Sequence, residues 1–172
     1  RSGLAPFRLW HLFRQLDRIP GDWRMRLSSI EAAEITEEFI HYSRDCAHLC
    51  PHFHPALQSG SETVLRRMRR RDTARRFLGT LDRLREKLDR PTFSTDVIVG
   101  FPGETEAQFE ETMALMHEIE FDGAYMFHYS PRPGTPAATM EQIPHAVKLD
   151  RLHRLMAQQN EITLKRNMAC VG

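Results

Sequence analysis

The sequence predicts an α/β fold in which parallel strands alternate with helices through right-handed crossovers, as a barrel or as an open doubly wound sheet. Three observations carry that expectation. Short stretches rich in β-branched and aromatic residues, such as "TFSTDVIVGF", alternate with longer stretches of helical periodicity. Small residues fall where the apolar stretches end, at Gly60 and Ser61, at Gly100 and Gly103, and from Ser130 to Gly134. The 172 residues, 41% hydrophobic and 27% charged, are enough for one domain with a real core.

Taken in order, "LAPFRLWHLFRQL" places Leu4, Phe7, Leu9, Leu12, Phe13 and Leu16 at helical spacing, and "IPG" stops it. "WRMRLSSI" reads as a strand. "AEITEEFIHYSR" reads as a helix with Thr36 as N-cap and acidic residues in the first turn, where the helix dipole favours them. "CPHFHPALQSG" is a strand broken by prolines, and "SETVLRRMRR" a short helix after it. "TARRFLGTLDRLREKL" sets Phe77, Leu81, Leu84 and Leu88 on one helical face. "TFSTDVIVGF" is a buried strand, and "TEAQFEETMALMHEI" opens on a Thr105 to Gln108 capping box. "FDGAYMFHYS" is an aromatic strand, "PRPGTPAA" a rigid loop and "PHAVKLDRLHRLMAQQNEITLKR" a long amphipathic helix.

Lys+Arg 24 against Asp+Glu 23 leaves a formal net charge of +1, so no global field announces a nucleic-acid or membrane partner. No apolar run is long enough to span a bilayer and no leader is recognisable, so a cytoplasmic location is expected. Cys46, Cys50 and Cys170 are odd in number and lack a two-pair metal spacing, as suits reduced thiols. A start at Arg1 inside a helical pattern suggests a piece of something longer.

Ligands of parallel α/β folds sit at the carboxyl ends of strands, which directs attention to the glycine turns. In "GFPGET", Gly100 and Gly103 permit backbone angles that side chains forbid, Pro102 stiffens the turn, and the next helix offers unpaired amides. Such a turn holds an anion or the polar edge of a heterocycle, or is simply a well-made connection. In "QSGS", Gln58 offers an amide that donates and accepts, while the serines bond a ribose or cap a helix. His52 and His54 alternate on one side of a strand without an acidic or thiol partner at ligand spacing, so a packed or hydrogen-bonded role is expected, and no metal site.

Together, "RLSSIE", "LQSGSETVLRRMRR", "STDVIVGFPGET", "FEETMALM" and "YSPRPGTPAA" resemble, in order and spacing, the radical S-adenosylmethionine methylthiotransferases. Tyr129 to Ala138 is the most specific of them. Arg26 to Glu31 is similar to the subgroup acting on N6-threonylcarbamoyladenosine beside the tRNA anticodon. The likeness extends from about Leu4 to Gly172.

The resemblance implies a partial (β/α) TIM-like barrel of the radical SAM type over residues 1–138, a linking helix over 139–167, and at 168–172 the first residues of a TRAM-like C-terminal β-domain. It implies S-adenosyl-L-methionine and [4Fe-4S] clusters as cofactors, tRNA as partner, and a transferase that inserts a methylthio group. A cluster of the implied kind needs three thiolates on one short loop, leaving one iron open to S-adenosylmethionine. Cys46 and Cys50 have no third thiol nearby, so the cluster ligands are absent here, no residue of this chain is catalytic, and the chain alone is expected to be inactive. By the same resemblance, Gln58 and Ser59 face the cofactor, and the backbone of Val99, Gly100, Phe101 and Gly103 contacts adenine. Ser28 and Glu31 are ribose or substrate-side candidates. Arg67 and Arg70, in "RRMRRR", suit tRNA phosphates or the cofactor carboxylate, or form a solvated face. His128 and Arg132 flank the substrate mouth.

Pro55 and Ala56, Asp72 and Ala32 depart from the family pattern and bear on the substrate more than on the fold. Rival activities are methylthiolation of isopentenyladenosine or of a ribosomal-protein aspartate. A rival class is a non-catalytic remnant that binds S-adenosylmethionine or RNA. A barrel without its first strands also exposes edges that invite self-association.

Overall fold

The computed structural model describes residues 7–171. Nine elements follow in chain order: α1 (Leu9–Leu16), α2 (Glu37–Asp45), β1 (His52–Phe53), α3 (Glu62–Arg67), α4 (Ala74–Lys87), β2 (Thr92–Val99), α5 (Glu106–Ile119), β3 (Gly123–His128) and α6 (His145–Met168). The strands form one parallel sheet in the order β1-β2-β3. The α/β class and the parallel pairing agree with the sequence reading, because each crossover carries a helix whose apolar face needs a sheet to cover.

Helix starts follow local chemistry. Thr36, Thr73 and Thr105 accept from the backbone N–H groups of Phe39, Arg76 and Gln108 at 3.3, 3.1 and 3.3 Å. Thr105 N in turn donates to Gln108 Oε1 at 3.1 Å, completing the expected capping box. β2 alternates as a strand covered unequally on its two faces: Phe93, Thr95, Val97 and Val99 are buried against the helices, and Ser94, Asp96 and Ile98 turn to the half-exposed inner face. Phe39, Phe53, Phe77, Phe93, Phe109 and Phe121 are all essentially inaccessible and form the aromatic part of the core.

Two expectations change. Residues 23–30 do not form a strand; they make two parallel bridges, Met25 with Leu49 and Ile30 with Pro55. Pro51 and Pro55 remove two donors from the facing segment, and the pairing offset slips by one residue between the bridges, so no ladder propagates. The first helix begins at Leu9, leaving Phe7 exposed, and the part of that expectation resting on Leu4 lies outside the described residues. The proline-broken strand is repaired from its neighbour: the Thr95 hydroxyl donates to Pro55 O at 2.8 Å and accepts from Leu57 N at 3.0 Å. Before α6 the chain makes a short 3-10 turn, Pro136–Thr139.

The C-terminus of α1 is tied to the segment after α2 by Asp17. Its Oδ1 accepts from Cys46 Sγ at 3.0 Å and His48 N at 3.3 Å, and lies 2.7 Å from His48 Nδ1. The Cys46 bond first, then His48, hold the Asp17 carboxyl below its ordinary value of 3.8. A carboxylate depressed by folding adds stability that is present above its unfolded value and lost as pH falls through the folded one. Asp17→Asn is therefore expected to lower stability at pH 7 by about 1–2 kcal/mol. The gap in melting temperature between wild type and variant should close as pH falls below about 4. Thermal melts at several pH values check this, and a gap independent of pH would refute it.

Candidate functional site

The carboxyl ends of β2 and β3, with the Gln58 bridge to Val97 beyond β1, open on a cleft of about 650 Å³, lined by Gln58, Ile98, Phe101, Tyr129, Arg132 and Ala137 among others. Gln58 has φ 66, a left-handed angle unusual for a side-chain-bearing residue. Its backbone is hooked to β2 on both sides, with Gln58 N donating to Asp96 O and Ile98 N donating to Gln58 O, each at 2.8 Å. This double hook stabilises the strained angle where the side chain meets the cleft.

The glycine turn reaches the cleft through Phe101. Gly100 and Gly103 adopt φ 72 and 76, as their positions in the motif anticipate. Gly100 N donates to Glu104 Oε2 at 2.7 Å and Glu104 N to Phe101 O at 2.9 Å, so the turn is closed on itself. Phe101 meets Tyr129 edge to face, with ring centroids 5.1 Å apart. Gly103 O accepts from Arg67 Nη1 at 2.5 Å.

A second cleft of about 850 Å³ lies on the inner face toward the amino ends of the strands, with Ser28, His52, His54, Ser94, Asp96 and Tyr125 in its lining. Its polar groups form a chain. Asp96 Oδ2 lies 3.2 Å from His54 Nε2, His54 Nδ1 lies 2.8 Å from Ser94 Oγ, and Ser94 Oγ lies 3.0 Å from His52 Nε2. Asp96 and Ser94 thus engage both ring nitrogens of His54. Burial pushes His52 down, and its Nδ1 has no hydrogen-bond partner. The histidines are thus hydrogen-bonded, as expected, although Asp96 on the neighbouring strand gives His54 an acidic partner that local spacing did not show.

Gln58, Phe101, His128 and Arg132 converge on the first cleft, beside the Gly100 and Gly103 turn. Ser28 belongs to the second cleft. Ser59 is fully buried behind the site, its hydroxyl bonding Thr112 Oγ1 at 3.3 Å and accepting from Ser61 N at 3.2 Å. Val99 faces the helices, and its carbonyl accepts from Tyr129 N at 2.8 Å. Glu31 and Arg70 form a two-pronged ion pair at 3.0 and 2.6 Å, and Arg70 also donates to Ala56 O. His128 lies on the rim with its ring against His145, centroids 5.4 Å apart.

Sequence reasoning missed Asp96, which borders both clefts, and the α6 residues Lys148 and Arg151 behind the turn. Asp96 had a signal: an ionisable residue at an inner-face position of a β-branched strand. Lys148 and Arg151 had none, since a cation on an amphipathic helix ordinarily faces water. Asp72, one of the departures from the family pattern, is buried with Oδ1 unpartnered.

Among the described residues no three His, Cys, Asp or Glu side chains converge as a metal site. Cys46 is engaged with Asp17 and Tyr42, and burial raises its thiol. These residues therefore do not fit an iron-sulfur cluster. The first cleft is different: an amide side chain, an aromatic wall and a glycine turn on parallel strand ends suit a nucleoside.

The chain belongs to the radical SAM superfamily, whose sequence profile matches residues 7–116. Such membership implies S-adenosylmethionine and an iron-sulfur cluster. Over 162 residues, 94% of this chain and 32% of the relative, it is 45% identical to tRNA-2-methylthio-N(6)-dimethylallyladenosine synthase of Rhodococcus jostii. It is 40% identical over 167 residues to the threonylcarbamoyladenosine tRNA methylthiotransferase MtaB of Thermotoga maritima, covering 95% of this chain and 38% of that one. The chain thus spans about a third of the length of the curated relatives it matches. Coproporphyrinogen III oxidase (HemN) of Escherichia coli, a radical SAM enzyme, shares the fold with a TM-score of 0.69 at 21% identity, over 90% of this chain and 36% of that one. Among the described residues no helix is long and apolar enough to cross a membrane.

Proposed function

We propose that this chain is the later part of the barrel of a cytoplasmic tRNA methylthiotransferase, and that its first cleft holds the adenosyl end of S-adenosylmethionine. The observation that carries the reading is the convergence of Gln58, Phe101 and the left-handed Gly100 turn at the carboxyl ends of parallel strands. Phe101 supplies an apolar wall for a base and Gln58 an amide for a polar edge. Their task is orientation, since an S-adenosyl group and its cluster carry the radical chemistry. The cluster ligands come from residues other than those described, and the chain by itself is inactive. Arg132 at the cleft mouth is suited to a tRNA phosphate, whereas Arg70 is occupied by Glu31 and Arg67 by Gly103. Tyr125 and Phe127, 63% and 52% exposed on the inner face, support self-association of the chain when isolated.

The substrate is an adenosine bearing an N6 substituent beside the tRNA anticodon. "RLSSIE" supports the threonylcarbamoyl group, and the 45% identity to the Rhodococcus synthase supports the dimethylallyl group. Nucleoside mass spectrometry of tRNA after gene deletion tests the reading. One 2-methylthio-N6-substituted adenosine should disappear and return on complementation. Complementation with Phe101→Ala should restore it about tenfold more slowly, the effect expected when a base is deprived of its aromatic wall. An unchanged nucleoside profile in the deletion strain would refute the assignment.

A further inference from the structure

We propose that Lys148 and Arg151, one turn apart on α6, are positioning residues that set the width of the cleft between the glycine turn and the Tyr129 end of β3; this rests on the nucleoside reading of that cleft. Lys148 touches both walls, and Arg151 holds the glycine turn alone. The aliphatic stem of Lys148 fills the space beneath Gly100, where an added Cβ would stand 2.6 Å from Lys148 Cγ. Its Nζ crosses to the other wall, donating to Tyr129 O at 3.2 Å and lying 5.3 Å from the centre of the Tyr129 ring. Arg151 holds the far end of the turn. Its Nη1 donates to Glu104 O at 3.1 Å and to Glu104 Oε2 at 2.8 Å, and that same Oε2 accepts from Gly100 N at 2.7 Å.

Both cations are buried, Lys148 at 6% and Arg151 at 4% exposure. The walls they hold already meet through Phe101 and Tyr129 and through Tyr129 N donating to Val99 O. Neither cation reaches the cleft lining, so each acts through another residue. A shift of α6 along its axis would move both walls, which couples the long helix to nucleoside binding. The requirement for glycine at residue 100 is therefore double: its φ is left-handed, and the lysine stem occupies the side-chain space.

The test uses the full chain with 5′-methylthioadenosine and S-adenosyl-L-homocysteine as probes, by calorimetry. Lys148→Met retains the stem and removes the ammonium group, so its melting temperature should stay within about 2 °C of wild type. Affinity for both probes should fall about tenfold, because the Lys148 to Tyr129 hydrogen bond aligns the wall against which the shared nucleoside sits. The double variant Glu104→Gln with Arg151→Met should weaken both probes similarly. Amide hydrogen exchange separates positioning from general stability: in Lys148→Met the Gly100 and Tyr129 amides should lose protection while the β2 core does not. Equal binding by wild type and both variants overturns the proposal. So does a wild type whose Gly100 and Tyr129 amides exchange as freely as exposed loops, which requires no variant to fold. If wild type binds neither probe, the nucleoside reading fails, and the exchange measurement still decides whether the two cations hold the walls.

Discussion

Arg151→Met is expected to lower folding stability by about 3–5 kcal/mol, because it leaves the Glu104 carboxylate buried without its cation. The two side chains are only 5% and 1% exposed, so water cannot take the place of the guanidinium. At about 2–4 °C per kcal/mol for a domain of this size, the melting temperature should drop by about 6–20 °C. Burial already pushes the Glu104 carboxyl up, against the opposing pull of Gly100 N–H and Arg151. Removing Arg151 pushes it further in the same direction. A carboxyl raised by folding is penalised above its unfolded value, so the destabilisation should be greatest near pH 7 and shrink as acid protonates Glu104. Glu104→Gln in the Arg151→Met background should recover much of the stability, since a neutral amide needs no counter-charge. Urea unfolding at two pH values measures all three quantities. A destabilisation under about 1 kcal/mol would show that water reaches the pair.

Gly60→Ala should be comparably disruptive for a purely steric reason, at about 2–3 kcal/mol. A Cβ there would lie 2.6 Å from Thr112 Cα and 2.8 Å from Glu111 O, both backbone atoms of α5 that cannot rotate away. The collision would also break Gly60 N to Thr112 Oγ1, now 2.9 Å, and displace the strand end that carries Gln58. Binding in the cleft should therefore weaken together with stability. Gly79→Ala is the contrasting case. It lies on the exposed face of α4 with open space around its side-chain position, so a gain of about 0.5–1 kcal/mol is expected from helix propensity. Chemical denaturation of the two variants side by side checks both signs, and an unperturbed Gly60→Ala would mean that α5 stands farther from the strand end.

Much of the fold was legible because its determinants are local. The Thr36 cap, the capping box at Thr105 and Gln108, the strand character of β2 and the left-handed Gly100 and Gly103 each depend on residues within a few positions. Where the reading of residues 23–30 as a strand failed, the cause was a partner: an isolated extended segment cannot know that the facing chain lacks donors at Pro51 and Pro55. The candidate site was legible to the same extent. Gln58 and Phe101, both named from the motifs, line one cleft, since strand ends and glycine turns are sequence features.

By itself, then, the sequence determined the alternation of elements, their caps, the glycine turn and membership of the radical SAM superfamily. Tertiary structure alone decided which neighbours in a motif face the cleft, as with Gln58 turned to it and Ser59 buried against α5. It decided that Glu31 and Arg70 neutralise each other and that Lys148 and Arg151 serve the turn from behind. The physical reason is distance along the chain. Backbone angles and caps are set by atoms a few bonds apart, whereas the solvation and partner of a charged side chain depend on which distant segment the core packing brings within about 3 Å.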